Sequence, residues 1–193
     1  MPRPREFDDG AALDAAMETF WTKGYEATTT AELCENTGLG RGSLYNAFGS
    51  KHALYEAALS RYTEIGYTST LDILRAPGRP VERLRALLLW VIDTDLGDPH
   101  RRGCLAINAS LDTAGRSDPV VELTRRHFER LEQALREVIE EGQRAGEFAP
   151  DRDSGQLART LQSTYYGLRV IGSVTQDRAA LLDVAEGALA ALR

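Results

Sequence analysis

The residues best equipped for chemistry lie in one short run, Arg41-Gly42-Ser43-Leu44-Tyr45-Asn46. A guanidinium can reach guanine edges in a DNA groove, a side-chain amide can pair with adenine edges, and the hydroxyls of Ser43 and Tyr45 can meet phosphates. Gly42 would let a backbone come close to a duplex. Acidic residues are absent between Glu35 and Glu56, in a chain whose formal net charge is −6. A surface pressed against phosphates cannot carry carboxylates at its tip, so the gap fits DNA contact. Taken alone, it fits a surface helix that merely lacks acids equally well.

The neighbouring residues predict how this run is held. Thr29 reads as a helix N-cap with Glu32 three residues on, the capping-box arrangement in which each side chain satisfies a free backbone N–H. Leu33 and Cys34 are the apolar positions of that first short helix, and Cys34 is read as a buried small hydrophobe. Gly38 supplies the permissive backbone of a helix end, and Leu39 returns to the core. A second helix then spans about Arg41 to Phe48, with Leu44 and Phe48 on its buried side and Gly49 as its stop. Two short helices joined by a glycine turn are a helix-turn-helix signature.

Residues 24–54, GYEATTTAELCENTGLGRGSLYNAFGSKHAL, resemble the N-terminal domain of the TetR family of transcriptional regulators. The likeness rests on Gly24-Tyr25, the Thr pair, Gly38, the run from Gly42 to Tyr45, Phe48, and Lys51 with Leu54. It implies an all-α homodimer. A three-helix N-terminal helix-turn-helix domain would bind a palindromic double-stranded operator, and a helical C-terminal domain would bind a small effector and dimerise. Carried over by position, Thr30 would touch a phosphate. Arg41, Gly42 and Ser43 would face bases and backbone. Tyr45 and Asn46 would contact phosphate or bases, and Lys51 would reach a phosphate. Two departures stand out. Gly40 sits where the family often has a Ser or Thr cap, and Ala47 sits where a larger polar or aromatic residue is common.

Composition frames this reading. With 42% hydrophobic and 27% charged residues the chain resembles an ordinary soluble protein. The acidic balance means that any DNA face is locally rather than globally positive, with affinity that falls steeply with salt. The start, MPRPREFDDG, lacks the apolar stretch of a signal peptide, and Ala86 to Ile92, the longest apolar run, is too short to span a membrane. Two cysteines make no disulfide framework or metal quartet, and they fit a reducing cytoplasm. The three histidines lack ligand spacing, and no metal, cofactor or catalytic motif is expected; the chain reads as a regulator and not an enzyme.

Helices are predicted almost throughout. Residues 1–7 read as a loose basic arm, with Asp8 or Asp9 capping a helix to about Lys23 whose buried stripe is Leu13, Ala16, Met17 and Phe20. A long helix over 51–74 carries Leu54, Ala58, Tyr62 and Ile65 at helical spacing. Further helices span about 81–96, Gly103 to Ala114, and Asp118 to Arg144. In the last of these, Phe128, Leu131, Leu135, Val138 and Gly142 form the stripe, and Glu132 faces Arg136. The final two helices, about 154–175 and 177–192, carry more apolar surface than a monomer needs, which with the resemblance predicts a homodimer through them. The domains are expected at 1–55 for DNA binding and 56–193 for ligand binding and dimerisation.

The effector site is sought among polar or aromatic residues embedded in apolar helices: Trp90, Asp93, Cys104, Asn108, Phe128, Tyr165, Tyr166 and Arg169. Arg169 could meet an anion, pair with Asp93, or lie on the dimer surface. Cys104 follows Arg101 and Arg102 at a helix start, where a thiolate would be stabilised, so a redox- or electrophile-sensing repressor is one alternative. The other is a helical ligand carrier or small enzyme that no longer binds DNA. The favoured effector is a small, largely apolar molecule.

Overall fold

The computed structural model of the chain describes residues 9–112 and 119–193. The basic arm, the Asp8 cap, and the junction holding Ala114 and Asp118 lie outside the described residues. Every regular element among the described residues is an α-helix: α1 (Asp9–Lys23), α2 (Thr30–Thr37), α3 (Arg41–Phe48), α4 (Lys51–Leu74), α5 (Pro80–Gly97), α6 (Leu105–Asp112), α7 (Pro119–Arg144), α8 (Ser154–Thr175) and α9 (Arg178–Ala190).

These helices form two compact units. The first holds the described helices up to Ile65, all of α6 and residues 119–124; the second holds Gly66–Cys104 and Arg125–Arg193. In the first unit, Phe20, Leu33, Leu44, Leu54, Tyr55, Ala58 and Leu59 are buried to 1% exposure or less. The Phe20 and Tyr55 rings meet edge-on at 5.0 Å, and Tyr25 lies 4.9 Å from Tyr55. Asp14 of α1 accepts two hydrogen bonds from Arg61 of α4, at 2.6 and 2.9 Å. Thr19, inside α1, satisfies its hydroxyl by donating to the Ala15 carbonyl at 2.8 Å and accepting from Asn36 of α2 at 2.9 Å.

Some burial differs from expectation. On α1 the core face is Ala12, Ala16, Met17, Thr19 and Phe20, while Leu13 is half-buried. Ala16, Met17 and Phe20 are buried as expected, and Ala12 and Thr19 join that face where Leu13 was expected. Ile65 is 49% exposed. Cys34 and Phe48 are half-buried rather than enclosed, being the outer members of short helices that bury chiefly Leu33 and Leu44.

The second unit is built on the apolar faces of α5, α7, α8 and α9. Leu84, Leu88 and Ile92 meet Leu135, Ile139, Leu161, Leu168, Leu181 and Leu189 in one cluster. Fully burying a leucine contributes roughly 1.5–3 kcal/mol, so this cluster dominates the unit's stability. Gly142 is required by packing, since a Cβ there would overlap the Phe148 ring. The expected pair of Glu132 with Arg136 is not formed. Arg136 bonds Glu140 at 2.8 Å, while Glu132 accepts from Arg159 of α8 at 3.0 Å. A tertiary partner competes successfully with a helical neighbour because exposed pairs at i, i+4 are worth only a few tenths of a kcal/mol. No helix among the described residues is long and apolar enough to cross a membrane.

Candidate nucleic-acid interface

The local sequence builds the interface in three steps. Thr29 caps α2: its hydroxyl accepts the Glu32 N–H at 3.3 Å, and a Glu32 carboxylate oxygen accepts the Thr29 N–H at 2.8 Å. Glu32 also pairs with Lys23, and that ammonium together with the Thr29 donors holds its carboxyl down at about 2. Gly38 then ends α2 in the left-handed region (φ 70°), a conformation that side chains resist and glycine accepts. This turn launches α3 with Leu44 enclosed and Arg41, Gly42, Ser43 and Asn46 exposed.

Gly40 occupies the cap position of α3 and makes no side-chain cap bond. The free N–H groups of a helix start carry partial positive charge and attract anions such as phosphates. Around that end several expected residues come together. The Thr30 and Tyr45 hydroxyls are hydrogen-bonded at 2.6 Å, tying α2 to α3. The Arg41 guanidinium lies 5.9 Å from the Tyr45 ring centre. The Lys51 ammonium sits 4.4 Å over the Tyr25 ring, an attraction of cation and π-face. The half-buried Tyr25 is therefore a seat for Lys51 as well as a neighbour of the Tyr55 ring. Its position directly after the helix-ending Gly24 is the signal the sequence offers for this placement. Ser50 caps α4 by accepting the Ala53 N–H at 3.0 Å.

The residues expected to face an effector divide differently. Phe128, Tyr165 and Tyr166 do meet, with ring centres 4.9 Å apart for Phe128 and Tyr166 and 5.2 Å apart for Tyr165 and Tyr166. Burial pushes the Tyr165 phenol up to about 12. Trp90 packs half-buried against the second unit's core. Asp93 is exposed and bonds Arg178 of α9 at 2.9 Å, so it does not join them. Asn108 is exposed on α6, in the other unit, which removes the argument that a buried amide there needs a partner.

Arg169 is buried and its partner is Asp95, not Asp93. Nε and Nη2 meet the two carboxylate oxygens at 2.9 and 2.7 Å, and Nη2 also donates to the Gly103 carbonyl at 3.4 Å. Asp93 and Asp95 are two residues apart on α5, and a helix turns such a pair onto different faces. Cys104 follows Gly103 and is 3% exposed. Its expected activator Arg102 is engaged by Asp98 at 3.1 Å, and Arg101 is exposed. Sequence reasoning passed over His127. Its ring adjoins Phe128 at 5.9 Å and Tyr166 at 6.4 Å. Burial, with the charges of Arg169 and Arg130, pushes it down to about 4.

Comparison with known proteins adds the following. A family model described as "Bacterial regulatory proteins, tetR family" matches residues 12–58, and one described as "Tetracyclin repressor-like, C-terminal domain" matches residues 80–188. The HTH-type transcriptional regulator YezE of Bacillus subtilis is 30% identical over 100% of both chains. The HTH-type transcriptional repressor ComR of Escherichia coli is 30% identical over 87% of this chain and 80% of its own. Among solved structures, a cysteine mutant of the TetR family transcriptional regulator CifR, complexed with 26 bp double-strand operator DNA, superposes with a TM-score of 0.87 at 32% identity, covering 100% of each chain.

Proposed function

The chain belongs to the TetR family of DNA-binding transcriptional regulators, and from that premise we propose that it is a cytoplasmic homodimeric repressor released from a palindromic operator by a small effector. The observation that carries the DNA half is the uncapped start of α3, where Arg41, Gly42 and Ser43 are all exposed beside the Thr30–Tyr45 pair. Arg41 and Asn46 read base edges; Thr30, Ser43, Tyr45 and Lys51 hold phosphates; the α3 N-terminus supplies further positive charge. CifR's operator complex and ComR's description as a repressor support this assignment.

Dimerisation is assigned to α8 and α9. Val170, Ile171, Val174 and Val184 are 46–75% exposed there. On α9 the small residues Ala180 and Gly187, with Ala191 at its C-cap, are exposed beside Val184, while Leu181, Ala185 and Leu189 are buried in the protomer's core. An apolar strip of this kind on two adjacent helices suits a two-fold four-helix interface. The DNA-binding domain is assigned to 1–55 and the effector and dimer domain to 56–193, with α4 belonging to both. The effector is bound by the aromatic residues of the second domain and depletes the DNA-competent form by binding the other form better.

The test is fluorescence anisotropy with labelled DNA from upstream of the gene, at two salt concentrations. Arg41→Ala with Tyr45→Ala should abolish specific binding while helicity and oligomeric state are retained. Unchanged affinity in the folded double variant would overturn the proposal. A panel of apolar compounds added to the wild-type complex tests release.

A further inference from the structure

His127 presents a polar atom that the fold encloses and leaves unmet: its Nδ1 is buried and has no hydrogen-bond partner among the described residues. Buried polar groups are nearly always bonded, and an exception calls for a ligand, a water or an ion. The surroundings narrow that choice. Phe128 and Tyr166 flank the imidazole, and Tyr165 extends the same aromatic group. The rings stand edge-on or tilted to one another, at 51–86°, and supply aromatic surface for an apolar ligand, with the Nδ1 atom to orient it. Arg169 and Arg130 both act on the imidazole, but the charge of Arg169 is matched by Asp95, which leaves Arg130 as the main positive influence. Arg130 also lies 3.8 Å over the Tyr67 ring. An anion beside the imidazole would complete the missing hydrogen bond and gain from the Arg130 charge, whereas a cation would find neither a matching charge nor an acceptor.

We propose that His127 forms the polar end of the effector site, and that the effector is a small organic acid whose carboxylate hydrogen-bonds the Nδ1 atom while its apolar or aromatic body lies on Phe128, Tyr165 and Tyr166. This rests on the reading that the second domain binds an effector, and it adds the ligand's chemical class and a recognition residue. Nδ1 must carry the proton to donate to a carboxylate, which the neutral imidazole does in one of its two tautomers.

The experiment uses the full-length wild-type protein and measures binding of phenylacetate, benzoate, cinnamate and octanoate against their amides, by calorimetry and thermal stabilisation. The acids should bind more tightly than their amides. His127→Phe should weaken the acids roughly ten- to a hundredfold, the loss expected for a hydrogen bond to a charged group, and weaken the amides by less, about two- to tenfold, as for a neutral hydrogen bond. His127→Asn places an amide near the position of Nδ1 and should recover most of the acid affinity; it also serves if the Phe variant folds poorly. Equal acid binding in wild type and both variants would overturn the role of His127 while leaving an effector site in place. Amides binding as well as or better than acids would overturn the acid class alone. If none of the eight compounds binds, the acid proposal falls. If in addition the wider apolar panel fails to release wild-type protein from DNA, the effector reading falls with it.

Discussion

In the first unit Arg41 and Asn46 lie exposed on a helix without a side-chain cap, whereas in the second Arg169 is buried and held by both carboxylate oxygens of Asp95. One unit leaves its charge and helix end open to an outside partner. The other matches the Arg169 charge internally and, among the described residues, leaves the His127 Nδ1 atom buried without a hydrogen-bond partner. A group that stays hydrated until its partner arrives costs little to keep. An enclosed charge must be matched within the fold, because an uncompensated one costs several kcal/mol. Chemistry in the first unit is thus advertised by composition, and in the second by an exception to full satisfaction.

The contrast is broken most severely at the buried pair. Arg169→Ala or Asp95→Ala should cost about 3–5 kcal/mol of stability at fixed protein concentration, because each leaves an enclosed charge. Denaturant titration checks this. The double replacement Arg169→Met with Asp95→Leu should cost less than either single change. A loss below about 1 kcal/mol in the singles, the range of exposed pairs, would mean that water reaches the site.

Acid separates the two units next. His127 has its pKa lowered from 6.5 to about 4, so between those values the unfolded chain binds a proton that the folded chain does not. Stability should therefore fall as the pH drops from 6.5 towards 4, and His127→Phe should flatten that slope. Glu32 of the first unit is lowered from 4.5 to about 2, so its contribution is complete above 4.5 and is lost only as the pH falls towards 2. Thermal unfolding at pH 7, 5.5 and 4.5 distinguishes the two windows. An unchanged slope in the His127 variant would refute the assignment.

Tyr45→Phe is a smaller perturbation. It removes the bond to Thr30 and should cost about 1 kcal/mol of stability, together with a loss in operator affinity that exceeds the loss in random-sequence affinity if Tyr45 orients α3. The smallest effect is expected at Gly40. Its φ of −64° suits any residue and a Cβ there meets nothing within 4 Å. Gly40→Ser should stabilise α3 by a few tenths of a kcal/mol, visible as a slight rise in Tm. Destabilisation would mean that the open helix start is already used within the fold.

The first unit was legible to different depths. The box joining Thr29 to Glu32 and the bounds of α3 follow from residues within one turn of each other, and the structure reproduces both. On α1 the apolar period gave Ala16, Met17 and Phe20, but not the burial of Thr19, whose hydroxyl accepts from Asn36, seventeen residues away. In the second unit the helices were readable from their apolar periods, but the identity of the pairs was not. Asp93 and Asp95 look alike in the chain. Only the packing of α8 and α9 against α5 gives one to Arg169 and the other to Arg178. The exposure of Asn108 was open for the same reason: a residue flanked by apolar neighbours on a short helix can point either way until its packing is known.

By itself, the amino-acid order determined what depends on near neighbours: helix starts and stops, the turn at Gly38, and the acid-free, hydroxyl- and guanidinium-bearing run of α3. Capping, backbone conformation and charge composition act over a few residues, so they are written locally. The tertiary structure alone decided which carboxylate meets Arg169, that Tyr25 seats Lys51, and that His127 keeps an unmet nitrogen. Those outcomes depend on burial and on partners brought together from distant segments, and the cost of an unpaired group exists only once the fold has closed water out.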